Sequence, residues 1–336
     1  MTQTQLAPVF MGRYTLGNLR GEGISGRVFH VRRDTANVLL EPAVIKIQML
    51  TLKHEATDET FMNEVRALLA VGGHPNVAAM IEYSHEIGQR GAIVMRECAG
   101  PPVYTRLQTG RVPLATLWRW AGQLMAALEF CHARRVMHGD IKPMNMMLTT
   151  TNDASSGLVL VDFGLAHRFD SADAAAAGLE YSSPVTTPWY RAPEVIVHGA
   201  CSPCLGLMRP RFGFPIDMWA AGCVLYEFVY AATDLGYRSL FPGNTDAELA
   251  NLILNELGSP TLAAWPLGSI YYAQLDPSRE PVVNRRLVLS APSQIPEVAA
   301  LVAAVRPLLE RLILWNPDRR LTAEAAHQII SSINVS

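Results

Sequence analysis

Between Val136 and Leu148 the chain reads VMHGDIKPMNMML, an apolar run that carries Asp140, Lys142 and Asn145 at spacings of two and three. A carboxylate, an ammonium and a carboxamide on one short loop form a set suited to phosphoryl transfer. The carboxylate can receive a hydroxyl proton, the cation can balance phosphate charge, and the amide oxygen can hold a metal ion. The plain alternative is a polar turn between two buried strands. A further carboxylate, Asp162, follows the apolar run LVLV and precedes Phe163 and Gly164. A metal-binding carboxylate would project from such a strand end; a buried aspartate capping a turn is the competing reading.

Two upstream patterns could serve the same chemistry. In YTLGNLRGEGISGRVFHVRR, Gly21, Gly23 and Gly26 stand in G-x-G-x-x-G spacing ahead of Val28, and glycines let backbone N–H groups approach phosphate oxygens. Dinucleotide-binding folds share that spacing, and Glu41 falls twenty positions after Gly21. Their glycines open a helix, however, whereas RVFHV is β-branched and aromatic and Pro42 follows Glu41. On the glycines alone a plain hairpin turn stays open. The second pattern is AVIKIQML, Ala43 to Leu50, a buried-strand run with one lysine, Lys46. An inward-facing ammonium without a partner carries a desolvation penalty. The candidate partner is Glu64, in a helix whose apolar stripe is Phe61, Val65, Leu68 and Leu69; a solvated edge lysine and an exposed glutamate are the alternative.

These residues need elements to hold them. The chain has 336 residues, 49% of them hydrophobic, enough for a substantial core in two lobes or domains. Charge is nearly balanced, 28 Lys+Arg against 30 Asp+Glu, which argues against a nucleic-acid footprint or an anionic-membrane binder. Residues 1–11 read as a tail. The stretch 12–97 is strand-rich with one helix, Cys98-Ala99-Gly100-Pro101-Pro102 marks a linker, 103–330 is largely helical, and 331–336 is a short tail. Leu114 to His132 carries an apolar face wide enough to be core. Five cysteines, odd in number and sparse, are unlike a disulfide framework and point to a reducing compartment. The start MTQTQLAPVFMGRY has no basic region or long apolar run, and the longest apolar stretch, Met218 to Ala232, is interrupted by Glu227. A cytosolic or nuclear location is the expectation.

Taken in order, the glycine loop, strand lysine, helix glutamate, HGD loop, DFG at 162–164 and APE at 192–194 resemble the eukaryotic protein kinases, from about Tyr14 to about Ile330. The resemblance implies an α+β bilobal fold, a β-rich N-lobe with one main helix and a larger helical C-lobe. It implies ATP and Mg²⁺ as cofactors and protein Ser/Thr hydroxyls as substrates. By the same resemblance Lys46 would hold the α- and β-phosphates and pair with Glu64, Asp140 would be the base, and Asn145 and Asp162 would bind the metal. Lys142 looks like the Ser/Thr-kinase lysine that neutralises the transferring phosphate. Adenine would lie between Val28 and Ala43 above and Met147 below, beside Met95 as gatekeeper, with hinge hydrogen bonds from the backbone of Glu97 and Cys98. Leu68, Met80, His138 and Phe163 match the regulatory spine, Glu194 and Arg320 a buried ion pair, and Asp217 the aspartate that braces the catalytic loop.

TTPWYRAPEVI, PIDMWAAGCVLYEFV, LFPGNTDAELANLILNELGSP and WNPDRRLTAEAA look like the group of cyclin-dependent and MAP kinases. Arg191 matches an arginine common in members that prefer proline after the target residue, although Pro188 replaces the usual leucine or arginine before WYR. The familiar HRD is HGD here. Gly139, Asn63 and His167 stand at three positions where the group carries arginines that clamp an activation-loop phosphate, and Arg168 is a partial substitute. Ser182 aligns with that phosphosite, so activity is expected not to depend on its phosphorylation. A pseudokinase scaffold is the competing reading, resting on HGD and the altered loop. Between APE and Asp217 the chain carries an insert with Cys201-x-x-Cys204, read as a surface loop, since a lone pair lacks a second ligand pair for zinc. A regulatory subunit is left open, because TDETFMNEVRALL does not match a recognisable cyclin-binding helix.

Overall fold

The computed structural model describes residues 9–10, 14–23, 26–33, 42–48, 57–85, 91–178, 187–200, 212–233, 236–275 and 296–333. The first part comprises strands β1 (Val9–Phe10), β2 (Tyr14–Gly23), β3 (Gly26–Arg33) and β4 (Ala43–Gln48), helix α1 (Thr57–Ala70), and strands β5 (Met80–Ser84) and β6 (Ala92–Arg96). They form one six-stranded sheet in the order β1-β2-β3-β4-β6-β5. Every neighbouring pair is antiparallel.

Strand alternation decides what each face carries. Ala43, Ile45 and Ile47 of β4 point into a small cluster with Tyr14, Val31, Ala92 and Val94. The intervening Lys46 faces the other side, where Phe61, Val65 and Leu68 of α1 pack on Ile93 of β6, while Leu69, expected in the same stripe, is exposed. Gly26 is required by close approach: a Cβ there would lie 2.5 Å from the Ile47 carbonyl oxygen.

After residues 97–102 the chain becomes helical. Helices α2 (Val103–Gln108) and α3 (Leu114–Ala133) precede strands β7 (Val136–Met137), β8 (Met146–Leu148), β9 (Leu158–Leu160) and β10 (His167–Arg168). β8 pairs with β9 and β7 with β10, both antiparallel. There follow α4 (Ala172–Ala177), α5 (Pro193–Ala200), α6 (Pro215–Ala231), α7 (Asp246–Leu257), α8 (Pro266–Leu275), α9 (Pro296–Leu312) and α10 (Ala323–Ser332). α6 is buried on all sides from Ile216 to Ala231, as expected of a helix apolar around its whole circumference. It is the axis of the core that α3 and α9 pack against.

Local chemistry sets several ends. Pro215 opens α6 at a position where its missing N–H removes no helical bond. Thr245 caps α7 by accepting from the Glu248 N–H at 3.2 Å, while the Glu248 carboxylate accepts from the Asn244 N–H at 2.7 Å. Among the described residues, no helix is long and apolar enough to cross a membrane.

Candidate active site

Lys46 reaches from β4 towards α1 and places its ammonium 2.6 Å from Glu64 Oε1 and 2.7 Å from Asp162 Oδ1. Lys46 and Glu64 are 6% and 5% exposed, so this is a buried ion pair, joined by the partly exposed Asp162 carboxylate, and not an edge lysine beside a surface glutamate. Burial works against the ammonium, but the facing carboxylates Glu64 and Asp162 outweigh it and hold the lysine above its ordinary range. Burial also pushes Asp162 upward, and the Lys46 ammonium more than reverses this, leaving the carboxyl at about 2. Glu64 is displaced upward, because its burial exceeds what Lys46 returns. Asp162 takes a left-handed backbone, φ 62°. That conformation is unusual outside glycine and tolerated best by short polar residues.

The loop after β7 carries the second group. Asn145 closes a 3₁₀ turn, Pro143–Asn145, and donates from Nδ2 to the Asp140 carbonyl and to Asp140 Oδ2, both at 2.9 Å. These bonds leave the carboxamide oxygen as the atom outside the loop's own network. Lys142 bridges Asp140 Oδ2 and Thr187 Oγ1, each at 2.6 Å, and the Thr187 hydroxyl donates to Asp140 Oδ1 at 3.3 Å. The N-terminal edge of residues 187–190 is thereby tied to the carboxylate. An ionised Asp162 and an Asn145 amide oxygen are hard oxygen donors, a chemistry that fits a divalent cation.

Beneath the loop lies Asp217 of α6. Its Oδ1 accepts the Gly139 N–H at 2.8 Å, and its Oδ2 accepts the His138 N–H at 2.8 Å with His132 Nε2 at 2.9 Å. Burial raises this carboxyl, but its bond to His132 and the backbone donors bring it below the ordinary range. Gly139 has φ +79°, and a Cβ there would meet the Leu165 carbonyl oxygen at 2.7 Å, so the loop as folded suits glycine.

The sequence profile of the protein kinase domain matches residues 14–330. The chain belongs to the protein kinase family. Among its relatives, a protein of Oryza sativa subsp. japonica named as a cyclin-dependent kinase, F-2, is 30% identical over 94% of this chain and 88% of its own length. Cell division control protein 2 homolog 1 of Trypanosoma brucei brucei is 26% identical over 91% and 93%. Mitogen-activated protein kinase 15 of Rattus norvegicus is 30% identical over 94% of this chain and 53% of its own length. The chain is thus a Ser/Thr-type kinase resembling the cyclin-dependent and MAP kinase group, whose members use ATP with a divalent metal.

The remaining residues singled out from the sequence of this kinase fall as follows. Gly21 and Gly23 are exposed at the end of β2, and Gly23 pairs with Gly26 across the hairpin. Val28 pairs with Lys46, and Ala43 with Arg96, the residue after Met95. Met147 bridges to Pro102. The Glu97 N–H is already donated to the Pro42 carbonyl at 2.9 Å, so only its carbonyl remains of the backbone groups assigned to adenine at that residue. Burial first, and then the neighbouring Glu97, push the Cys98 thiol up to about 11. Leu68, His138 and Phe163 are buried, with the Phe163 ring edge-on to His138 at 4.7 Å. Glu194 and Arg320 form a bidentate pair at 2.6 and 2.7 Å. Glu41, Ser182, Cys201 and Cys204 lie outside the described residues.

Sequence reasoning missed three features. Glu97 carries the His30 imidazole at 3.2 Å and the Arg20 guanidinium at 3.8 Å, linking the glycine-bearing strands to the connector. Glu227 accepts hydrogen bonds from Tyr190 at 3.0 Å and Tyr237 at 3.2 Å; the only signal was one carboxylate inside an apolar helix. His132 meets Asp217 across 85 positions, with no local signal at all.

Proposed function

We propose that this chain catalyses transfer of the ATP γ-phosphoryl group to protein Ser/Thr hydroxyls, with Mg²⁺, and without requiring phosphorylation of Ser182. The observation that carries the reading is the convergence of Lys46, Glu64 and Asp162 with the Asp140–Lys142–Asn145 loop and Thr187. In this reading Lys46, oriented by Glu64, receives the α- and β-phosphates, Asp140 takes the acceptor hydroxyl proton, and Lys142 offsets charge on the transferring group. Asn145 and Asp162 would hold Mg²⁺, which neutralises phosphate charge when bound. Gly21, Gly23 and Gly26 would cover the phosphates. Val28, Ala43, Met95, Met147 and the connector backbone at Glu97 and Cys98 would enclose adenine. The lobes at 12–97 and 103–330, hinged at 98–102, belong to the same reading, as does an intracellular location.

Arg191 supports a preference for proline after the acceptor. Its guanidinium is paired with Asp246 at the start of α7, which fixes the segment that would meet that substrate residue. The test is transfer from radiolabelled ATP to a peptide library, with Asp140→Asn as control and no activating kinase present. Label incorporated by wild type and by Ser182→Ala, but not by Asp140→Asn, is the expected result. Equal incorporation by wild type and Asp140→Asn would favour the scaffold reading, and a flat response at the following position would remove the proline preference.

A further inference from the structure

At the three positions read as arginine in the group, this chain offers no guanidinium. Asn63 is engaged by Arg66 at 3.0 Å, Gly139 has no side chain, and His167 is half-buried, with burial lowering its pKa below the ordinary range. Arg168 lies on β10 opposite Val136 and is exposed. In their place stands a continuous run of rings. His167 meets Phe169 edge-on at 4.9 Å, Phe169 meets Phe214 edge-on at 5.4 Å, and Phe214 stacks flat on His132 at 4.6 Å and 23°. His132 then bonds to Asp217, which holds the backbone of His138 and Gly139. The far end is tied twice more. β10 pairs with β7, directly ahead of the catalytic loop, and the Phe169 N–H donates to the Arg135 carbonyl at 2.9 Å.

We infer that His132, Phe214 and Phe169 are positioning residues, an aromatic brace that fixes the start of the activation segment against α6 and the catalytic loop where relatives use a phosphate clamp. The inference rests on the kinase reading above and names the device that makes phosphorylation dispensable. Physically, an ion clamp is assembled only when the phosphate arrives, whereas edge-to-face and stacked rings packed against core hold whenever the chain is folded. Phe214 is the keystone, since its ring meets both Phe169 and His132.

The test compares wild type, Phe214→Ala and Phe214→Tyr by steady-state kinetics, ATP titration and amide hydrogen exchange. Phe214→Ala forfeits two ring contacts and is expected to lower kcat about tenfold. ATP affinity should be unchanged, and exchange should accelerate at residues 137–140 and 165–170. Phe214→Tyr should restore both readouts. Should Phe214→Ala fail to fold, Phe214→Leu keeps an apolar side chain without either ring contact and is judged by the same criteria. A kcat within about twofold of wild type, or exchange unchanged in those two segments, would overturn the brace. Absence of transfer by wild type would instead overturn the kinase reading, and the exchange measurement then decides the brace by itself.

Discussion

Glu227 gives a prediction whose size follows from the structure. It lies inside α6 with no exposure, beneath the Tyr190 and Tyr237 hydroxyls. Burial raises its carboxyl from 4.5 to about 8, against smaller lowering contributions from the hydroxyls of Ser239, Tyr190 and Tyr237. The folded state therefore binds this proton far more tightly than the unfolded chain does. The stability it supplies is complete below pH 4.5 and is lost as pH rises towards 8. At about 1.4 kcal/mol per pH unit, the whole interval corresponds to about 4 to 5 kcal/mol. Glu227→Gln mimics the protonated acid and does not titrate, so its stability should lack this slope. Denaturant unfolding of both proteins from pH 5.5 to 8 isolates the term, because the histidines contribute to both curves alike. The difference should grow in favour of the glutamine variant by about 3 kcal/mol across that range. A difference constant to within about 1 kcal/mol would refute a buried neutral carboxyl at this position.

Lys46→Met should cut kcat/KM for phosphoryl transfer by about 10³ while leaving a folded protein, as measured by kinetics beside circular dichroism. Arg320→Ala leaves Glu194 buried without its two guanidinium bonds and should cost about 3–5 kcal/mol in chemical denaturation. Gly139→Ala places a Cβ against the Leu165 carbonyl at positive φ and should lower stability by about 1–2 kcal/mol, read as a fall in the unfolding midpoint.

Much of this protein was legible from its residues. AVIKIQ is buried on both faces apart from Val44, so a lysine inside the run raised the need for a carboxylate before any geometry, with a solvated edge lysine as the alternative. The spacing of Asp140, Lys142 and Asn145 survives because all three lie on one loop of ten residues or fewer, where chain connectivity itself enforces proximity. The run Met218 to Ala232 stood out as the longest apolar stretch, and its place as the all-round buried α6 came from the structure.

What the tertiary structure decided are the contacts between segments far apart in the chain. That Lys46 divides itself between Glu64 and Asp162 depends on how the sheet meets β9, 116 positions away from the lysine for the second carboxylate. Glu227 read as an interruption of an apolar run until Tyr190 and Tyr237 closed over it. Phe214 had no periodicity or motif to mark it, and only the crossing of β10, α3 and α6 turns it into a bridge between Phe169 and His132. Local sequence sets which face a side chain takes, through backbone geometry. Which partner waits on that face is set by packing, where burial makes an unpaired charge or an unfilled gap too costly to persist.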